Sequence, residues 1–558
     1  MKDSAQTQAP ESKLLSRRLA LELLTIAGFC AFLFYFGLGA FGLVGADEPR
    51  YAQIAREMLE RRDVITPTLY GKPWLEKPPL YYWRAMEGYA VVGVHDWVAR
   101  APSAAAATLL VFIAYFFMRW FRRGSELNAA LMTAGCVGTI GFARAAGPDM
   151  LLAAAFAIAM LFWWTSMETS ASGRWNRPKL WLALFYLFMA FGMLAKGPVA
   201  PFLAAVIIVV FAALQRDWTL VRRTLWWPGI LLFLVIALPW YIAVQVKNPQ
   251  FFREFILQHN LERFATNLYH HKQPFWYYLP VTLVAVLPWT GYFVAGFARA
   301  VRNWKDKTDQ RFAVFLAVWI VIVVVFFSIS TSKLPGYILP AVPACTLLAA
   351  EYVRSTEAKH SWVLIVFQGM FSAILLSAAM LCPRLVLHPH DPLPSQAKML
   401  VATVAVAIFI GTVVTLVWRG LPVLRLVVLA PLVVAVAFVI KIGGPVIDVT
   451  QSERPVAASI TEIEGGRAIV AVFMASREVE YGLGFYRNHG IPRYERDGIP
   501  DEDHLVVVPN RYSDELLKTV RPKRASRVGG FPAQHLDFYW ISPAMSHAMP
   551  GTAPPNIH

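Results

Sequence analysis

Between Gly45 and Trp83 the sequence reads GADEPRYAQIAREMLERRDVITPTLYGKPWLEKPPLYYW, and this stretch concentrates groups capable of acid–base and anion-binding chemistry. Asp47, Glu48, Arg50 and Arg56 come close together, and Glu76 and Lys77 stand just ahead of a Pro-Pro pair. A carboxylate here can orient a nucleophile or take its proton. The two prolines force an extended backbone, and a lysine held on it among aromatic residues is suited to grip a phosphate as a point charge. Read alone, the same lysine is an ordinary snorkelling side chain and Asp47 a helix cap. Their surroundings decide between these readings.

Three other stretches carry comparable groups. ARAAGPDML puts Asp149 in a tight turn between two apolar runs, a place where aspartate is common for local reasons. FFREFILQHNLERFATNLYHHKQPFWYY holds His259 and Arg263 four residues apart, hence on one face if helical. TSKLPGYILP adds Lys333 and Tyr337. Glu76 and His259 could meet around a divalent metal, but two ligands without a spacing motif are weak evidence, so the metal is left open. No P-loop, dinucleotide fingerprint or catalytic-triad pattern occurs, and nucleotide handling is unsupported.

The elements that must position these groups are membrane helices. Of 558 residues 57% are hydrophobic and 16% charged, with a mean hydropathy of +0.48, against roughly a quarter charged in soluble domains. Many apolar runs reach spanning length, and their continuity fits helices rather than barrel strands. We expect about thirteen spans, at 21–44, 102–118, 127–143, 150–167, 180–195, 198–214, 228–246, 276–298, 312–330, 336–353, 361–381, 399–418 and 421–440. The first is too long for a signal-peptide core and reads as a retained span. The net charge of +16 could suggest nucleic acid, but the basic residues gather in short loops such as Arg119/Arg122/Arg123 and Arg216/Arg222/Arg223. That is the positive-inside bias, and it makes those loops and the N-terminus cytoplasmic; no nucleic-acid partner is expected.

Counting spans from there places Asp47, Glu76, Lys77, Asp149, His259, Arg263 and Lys333 together on the outer side. Tyr51, Ile54, Ala55, Met58 and Leu59 form one stripe of an amphipathic helix over 48–62, lying on the outer surface with Asp47 at its cap. External loops 45–101 and 247–275 would form the mouth of an active site within a catalytic membrane domain of residues 1–440. From 441 to 558 the character changes: strands are expected at Ala468–Phe473 and Leu505–Val508 around a helix near Ser476–Asn488, giving a small external α/β domain. Cys30, Cys136 and Cys345 lie in apolar runs, and no disulfide framework is expected.

DEPRYAQIAREML, EKPPLYYW, GPDM, LAKGP and SKLPGYILP, in this order and on these loops, resemble the aminoarabinose transferase family of membrane glycosyltransferases. The resemblance implies a GT-C fold, shared with protein O-mannosyltransferases and oligosaccharyltransferases, in a bacterial inner membrane with the active site and C-terminus periplasmic. It implies transfer of 4-amino-4-deoxy-L-arabinose, or a related sugar, from undecaprenyl phosphate to lipid A or another glycolipid or glycan acceptor. Asp47 and Asp149 would be the catalytic acidic residues. Lys77, with Arg263 and Arg50, would neutralise the donor phosphate; Glu76 and His259 would also bind substrate; Tyr51, Lys333 and Tyr337 would line the cavity. Gly336 stands where relatives suggest a second proline. The alternatives are a same-fold enzyme acting on a different sugar or acceptor, and a lipid-linked sugar flippase. Transporters place ionisable residues near the bilayer midplane and show repeated halves; here the charges sit at span ends and no repeat is visible, which favours an enzyme.

Overall fold

The computed structural model describes residues 8–172, 177–255, 273–306, 310–355, 361–387, 394–420, 423–466 and 468–542. Among them ten helices are long and apolar enough to cross a membrane, and a helix pair bent by 119° makes an eleventh crossing if counted as one span. The chain is a multi-pass membrane protein. It folds as two units, Met1–Ala40 with Tyr51–Pro445, and Phe41–Arg50 with Val446–His558.

In the first unit, α1 (Gln8–Cys30) ends in a π-helical turn over Ala31–Tyr35. Helix α2 (Asp47–Glu60) begins in the second unit and continues into the first. It is followed by a hairpin of β1 (Thr68–Leu69) and β2 (Lys72–Pro73), then α3 (Leu80–Val92) and α4 (Asp96–Phe121). The centre is α7 (Asp149–Ser172), whose residues Met150 to Met167 are all buried. A helix apolar on every side has no reason to keep a lipid face and is driven to the middle. Trp163 and Trp164 stack on Phe315 of the helix Arg311–Ile329, with ring centroids 5.4 and 4.9 Å apart. Helix α8 (Pro178–Lys196) packs antiparallel against α7. The central position of α7 is what fixes Asp149, its first residue.

Two of the thirteen expected spans fall short. The run 127–143 is two short helices, α5 (Glu126–Ala134) and α6 (Val137–Ala143), and α9 (Val199–Gln215) has only 17 residues. The first break has a local cause: Gly135 lies so close to the Leu131 carbonyl and Leu429 that a Cβ would come within 2.9 Å of each, and Cys136 is extended with ψ 145°. The freed Val137 N–H donates to the Leu287 carbonyl at 2.9 Å. Leu287 lies at the other irregular point, between Phe275–Ala285 and Thr290–Arg302, where Pro288 has no N–H to continue a helical ladder. The carbonyl at the second break thus satisfies the amide freed at the first, as backbone polar groups in lipid require.

The hairpin turns on Tyr70 and Gly71, both at positive φ (53° and 77°), the pairing of a two-residue type I′ connection. The buried Glu57 carboxylate holds it by accepting from Thr68 Oγ1 (2.8 Å), Tyr70 N (2.6 Å), Gly71 N (3.1 Å) and Gln53 Nε2 (3.2 Å). Glu57→Ala strips that turn of its acceptors and leaves buried donors unmet, a cost of about 1–3 kcal/mol. Faster hydrogen exchange at the Tyr70 and Gly71 amides is the expected result, with the spans unaffected.

The second unit is a four-stranded sheet of order β3-β4-β6-β5, with β3 (Ile469–Val472), β4 (His504–Pro509), β5 (Arg524–Phe531) and β6 (Leu536–Ser542). β3 and β4 are parallel and the other neighbours antiparallel. Helices Arg454–Glu464 and Arg477–Arg487 cover one face through Val456, Ile460, Val479 and Leu483, and Leu516 and Val520 help fill the other. The sequence reading gives β3, β4 and the helix between them; it does not give β5 or β6. RASRVGGF is a mostly exposed edge strand with two glycines and two arginines, poor in strand formers.

This unit contains a buried acidic group. Glu453 is 5% exposed, and among the described residues its Oε2 has no hydrogen-bond partner. Burial, helped by the charge of Glu478, pushes its carboxyl up to about 8. The folded state therefore keeps a proton that the unfolded chain loses near the ordinary value. Stability is fullest below about pH 4.5 and declines by about 1.4 kcal/mol per unit as pH rises towards 8. We expect protection of the β3 and β4 amides in the full chain to weaken over that range, and Glu453→Gln to flatten the dependence.

Candidate active site

Because α7 starts at Asp149 and its antiparallel neighbour α8 ends at Lys196, these two residues meet at one end of the helix bundle. Lys196 Nζ pairs with Asp149 Oδ1 and stands 4.7 Å from the centroid of the Tyr337 ring. The two side chains are 16% and 26% exposed, so the pair is partly desolvated yet open to a ligand. Asp149 also lies where the partial positive charge of the α7 N-terminus favours an anion. Gly197, at φ 87°, ends α8 directly after the lysine.

Tyr337 reaches this place because Gly336 has no side chain. A Cβ there would lie 2.7 Å from the Phe142 ring and 3.1 Å from Asp149 Oδ1. A proline at 336 would therefore press on both groups, which accounts for the glycine in SKLPGYILP. Lys333, three residues earlier, is buried and its Nζ donates to the Ser330 carbonyl at 2.5 Å, with burial lowering its pKa. Its ammonium is engaged with the backbone that leads into Pro335–Ala341.

The turn before Asp149 is bounded on two sides. The Tyr51 ring would lie 3.8 Å from a Cβ on Gly147, and Ser103 Oγ donates to the Gly147 carbonyl at 3.1 Å. Tyr51, Tyr81 and Tyr82 form a cluster with ring centroids 5.9 to 6.2 Å apart. Tyr81 and Tyr82 open α3, directly after the extended segment that carries Glu76 and Lys77; both of those are half-buried, and Lys77 Nζ lies 3.4 Å from the Glu76 carbonyl. Leu75 packs with Leu194, Trp240, Phe251 and Phe255, so the start of the second long loop rests on the first loop and on the end of α8. Lys247 reaches Asp63 at 3.3 Å. At the same end Arg144 donates to the carbonyls of Leu33, Phe36 and Gly37 (3.0–3.2 Å), closing the C-terminus of the first span.

Asp47 and Arg50 belong to the other unit. Asp47 is the first residue of α2 rather than its cap, with its side chain 61% exposed and Arg50 Nη2 2.5 Å from Oδ1. Glu48 instead reaches back along the entering chain, accepting from Val44 N at 2.9 Å. His259 and Arg263 lie outside the described residues, as does the rest of the helix expected around them after Phe255. Among the described residues no group of three or more His, Cys, Asp or Glu is placed to hold a metal ion, and Cys30, Cys136 and Cys345 are free and buried.

Of the residues singled out in sequence, Asp149, Tyr337 and Tyr51 thus surround one turn. The group that joins the first two, Lys196, is not among the sequence candidates. LAKGP carries a signal, a lysine in the last turn before Gly-Pro, but such a lysine also marks an ordinary helix end.

Residues 19–253 match the protein family described as dolichyl-phosphate-mannose-protein mannosyltransferase. The undecaprenyl phosphate-alpha-4-amino-4-deoxy-L-arabinose arabinosyl transferase of Erwinia tasmaniensis is 27% identical over 467 residues, 79% of this chain and 83% of that one. An arabinosyl transferase of the same description from Sodalis glossinidius is 30% identical over 437 residues, 76% of this chain and 77% of that one. In fold the chain is similar to the crystal structure of ArnT from Cupriavidus metallidurans bound to undecaprenyl phosphate, with a TM-score of 0.76 at 23% identity over 93% of this chain and 97% of that one. The extent of these alignments, together with motifs that fall on the described loops, places this chain in the undecaprenyl phosphate-alpha-4-amino-4-deoxy-L-arabinose arabinosyl transferase family of membrane glycosyltransferases.

Proposed function

We propose that this protein transfers 4-amino-4-deoxy-L-arabinose from undecaprenyl phosphate to lipid A at the periplasmic face of a bacterial inner membrane, with its N-terminus in the cytoplasm. The observation that carries the reading is identity of 30% with an arabinosyl transferase across three quarters of the chain. The ion pair of Asp149 and Lys196 beside Tyr337 supports it, because it sets charge and an aromatic face at one end of the bundle.

In the reaction the bond between the anomeric carbon and the phosphate oxygen of the donor breaks, and an acceptor oxygen takes the sugar. Negative charge grows on the departing lipid phosphate, and cations preplaced there stabilise the transition state. Lys77 fills that role, with Arg50 and Arg263. A lipid A phosphate oxygen is already anionic and needs little help from a base, so Asp47 orients the sugar, its carboxylate facing the ammonium of the aminosugar. Asp149 is the second acidic residue, and Lys196 fixes its direction. Tyr51 and Tyr337 line the cavity.

The purified protein given undecaprenyl-phosphate-linked aminoarabinose and lipid A should release undecaprenyl phosphate and raise the mass of lipid A by one aminopentose. Movement of the intact donor across a liposome membrane without cleavage would overturn the reading in favour of a flippase. Cleavage only with another sugar would leave an enzyme with a different substrate.

A further inference from the structure

The ten residues Phe41–Arg50, which carry Asp47 and Arg50, belong to the C-terminal unit. Their attachment is denser than a connecting segment needs. Gly42 N donates to Asp448 Oδ1 at 2.7 Å, and Leu43 N donates to the Tyr486 hydroxyl at 2.7 Å. Val44 forms an antiparallel bridge with Ser452. Arg50, paired with Asp47, stands 5.7 Å from the centroid of the Tyr481 ring.

The partners are themselves fixed. Asp448 is held by Arg454 at 2.8 Å. Tyr481 and Tyr486 lie on the helix Arg477–Arg487, which Ser476 caps and which Val479 and Leu483 fasten to the sheet. Gly42 shows how closely the segment is pressed: a Cβ there would collide with Ser452 Oγ and the Tyr486 hydroxyl and come within 2.9 Å of Arg454 Cβ. Two backbone hydrogen bonds, a bridge and a ring contact thus define the path of the chain into the first turn of α2, where the Asp47 carboxylate stands 61% exposed above a side-chain-buried Arg50.

We propose that the C-terminal unit is a positioning clamp for Asp47, in which Asp448, Tyr486 and Tyr481 hold Phe41–Arg50 in the conformation that presents the Asp47 carboxylate to the donor sugar. The inference rests on the role given to Asp47 above. It gives the C-terminal unit a part in the reaction through the segment that it holds, and it makes Tyr486 and Tyr481 positioning residues.

The test uses the full-length protein and three variants. Tyr486→Phe removes only the hydroxyl that accepts from Leu43 N; Gly42→Ala forces the segment off the unit; Asp47→Asn reports on the clamped group itself. A misplacement of about 1 Å can cost about a hundredfold in rate, so kcat should fall about tenfold in Tyr486→Phe and about a hundredfold in Gly42→Ala. The KM for the donor and the fraction of folded protein that binds undecaprenyl phosphate should stay at the wild-type values, while the melting temperature falls modestly, since the buried Leu43 N–H loses its acceptor or its path. If the loss in kcat is matched by a loss in that binding-competent fraction, the contacts are merely structural and the clamp is overturned. Full activity in both clamp variants beside an inactive Asp47→Asn overturns the clamp and leaves the role of Asp47 standing. Full activity in Asp47→Asn overturns that role, and the clamp with it.

Discussion

Lys77→Ala and Asp47→Asn are each expected to lower sugar transfer by at least about a hundredfold while the protein stays folded in the membrane. The lysine argument is electrostatic. A polyprenyl phosphate gains charge as the sugar leaves, and removing one preorganised contact to such a group commonly costs about 10²–10³ in rate. Lys77 is half-buried on a segment fixed by Pro78 and Pro79 and by the packing of Leu75, so in the proposed reaction its ammonium would meet the phosphate without first being ordered. Lys77→Arg keeps the charge but replaces a compact ammonium with a planar fork, and we expect it to recover part of the activity. Asp47→Asn is nearly isosteric and leaves Arg50 an oxygen to donate to, so a loss there reports the charge and not a local collapse. Steady-state turnover of purified variants with donor and lipid A is the measurement. Wild-type rates in either variant would remove that residue from the mechanism.

How far the sequence reaches can be followed element by element. The α7 span is legible because Met150 to Trp164 are apolar without interruption, and the stripe from Tyr51 to Leu59 gives α2 through its helical spacing. The break at Gly135 and Cys136 is not legible, since it depends on Leu429 and on the Leu287 carbonyl, both far away in sequence. The hairpin at Tyr70–Gly71 is hidden for a similar reason: tyrosine is a poor residue for positive φ, and only the reach of Glu57 makes the turn acceptable. At the site, spacing and charge find Asp149 and Tyr337 as separate groups. That they share a lysine follows from the antiparallel packing of α7 on α8, which one sequence does not state. The C-terminal unit shows the same limit, because nothing in FGLVGADEPR announces that Gly42 and Leu43 will bond to Asp448 and Tyr486 some four hundred residues on.

Breaking the Asp149–Lys196 pair should cost both activity and stability, and the two losses should separate in a double variant. Lys196→Ala leaves a partly buried carboxylate whose partner is gone. Fully buried pairs lose about 3–5 kcal/mol in this way, but with the side chains 16% and 26% exposed solvent screens the remaining charge, and about 1–2 kcal/mol is the expected destabilisation. Asp149→Asn leaves the ammonium against the positive end of α7 and should cost a similar amount. Transfer should fall by about a hundredfold in each, since the carboxylate is either absent or no longer directed. In the double variant Asp149→Asn/Lys196→Met no charge is left unpaired, so the melting temperature should return most of the way to wild type. Activity should not return, and it should be no lower than in the worse single variant, because residues acting as a unit lose their effect together. If activity recovers along with stability, the pair only holds α7 to α8, and the chemistry must be assigned to other groups at that end of the bundle. If Lys196→Ala keeps its activity while losing stability, Asp149 works without direction from the lysine. Only the combination of regained stability with lost transfer identifies the pair as part of the reaction.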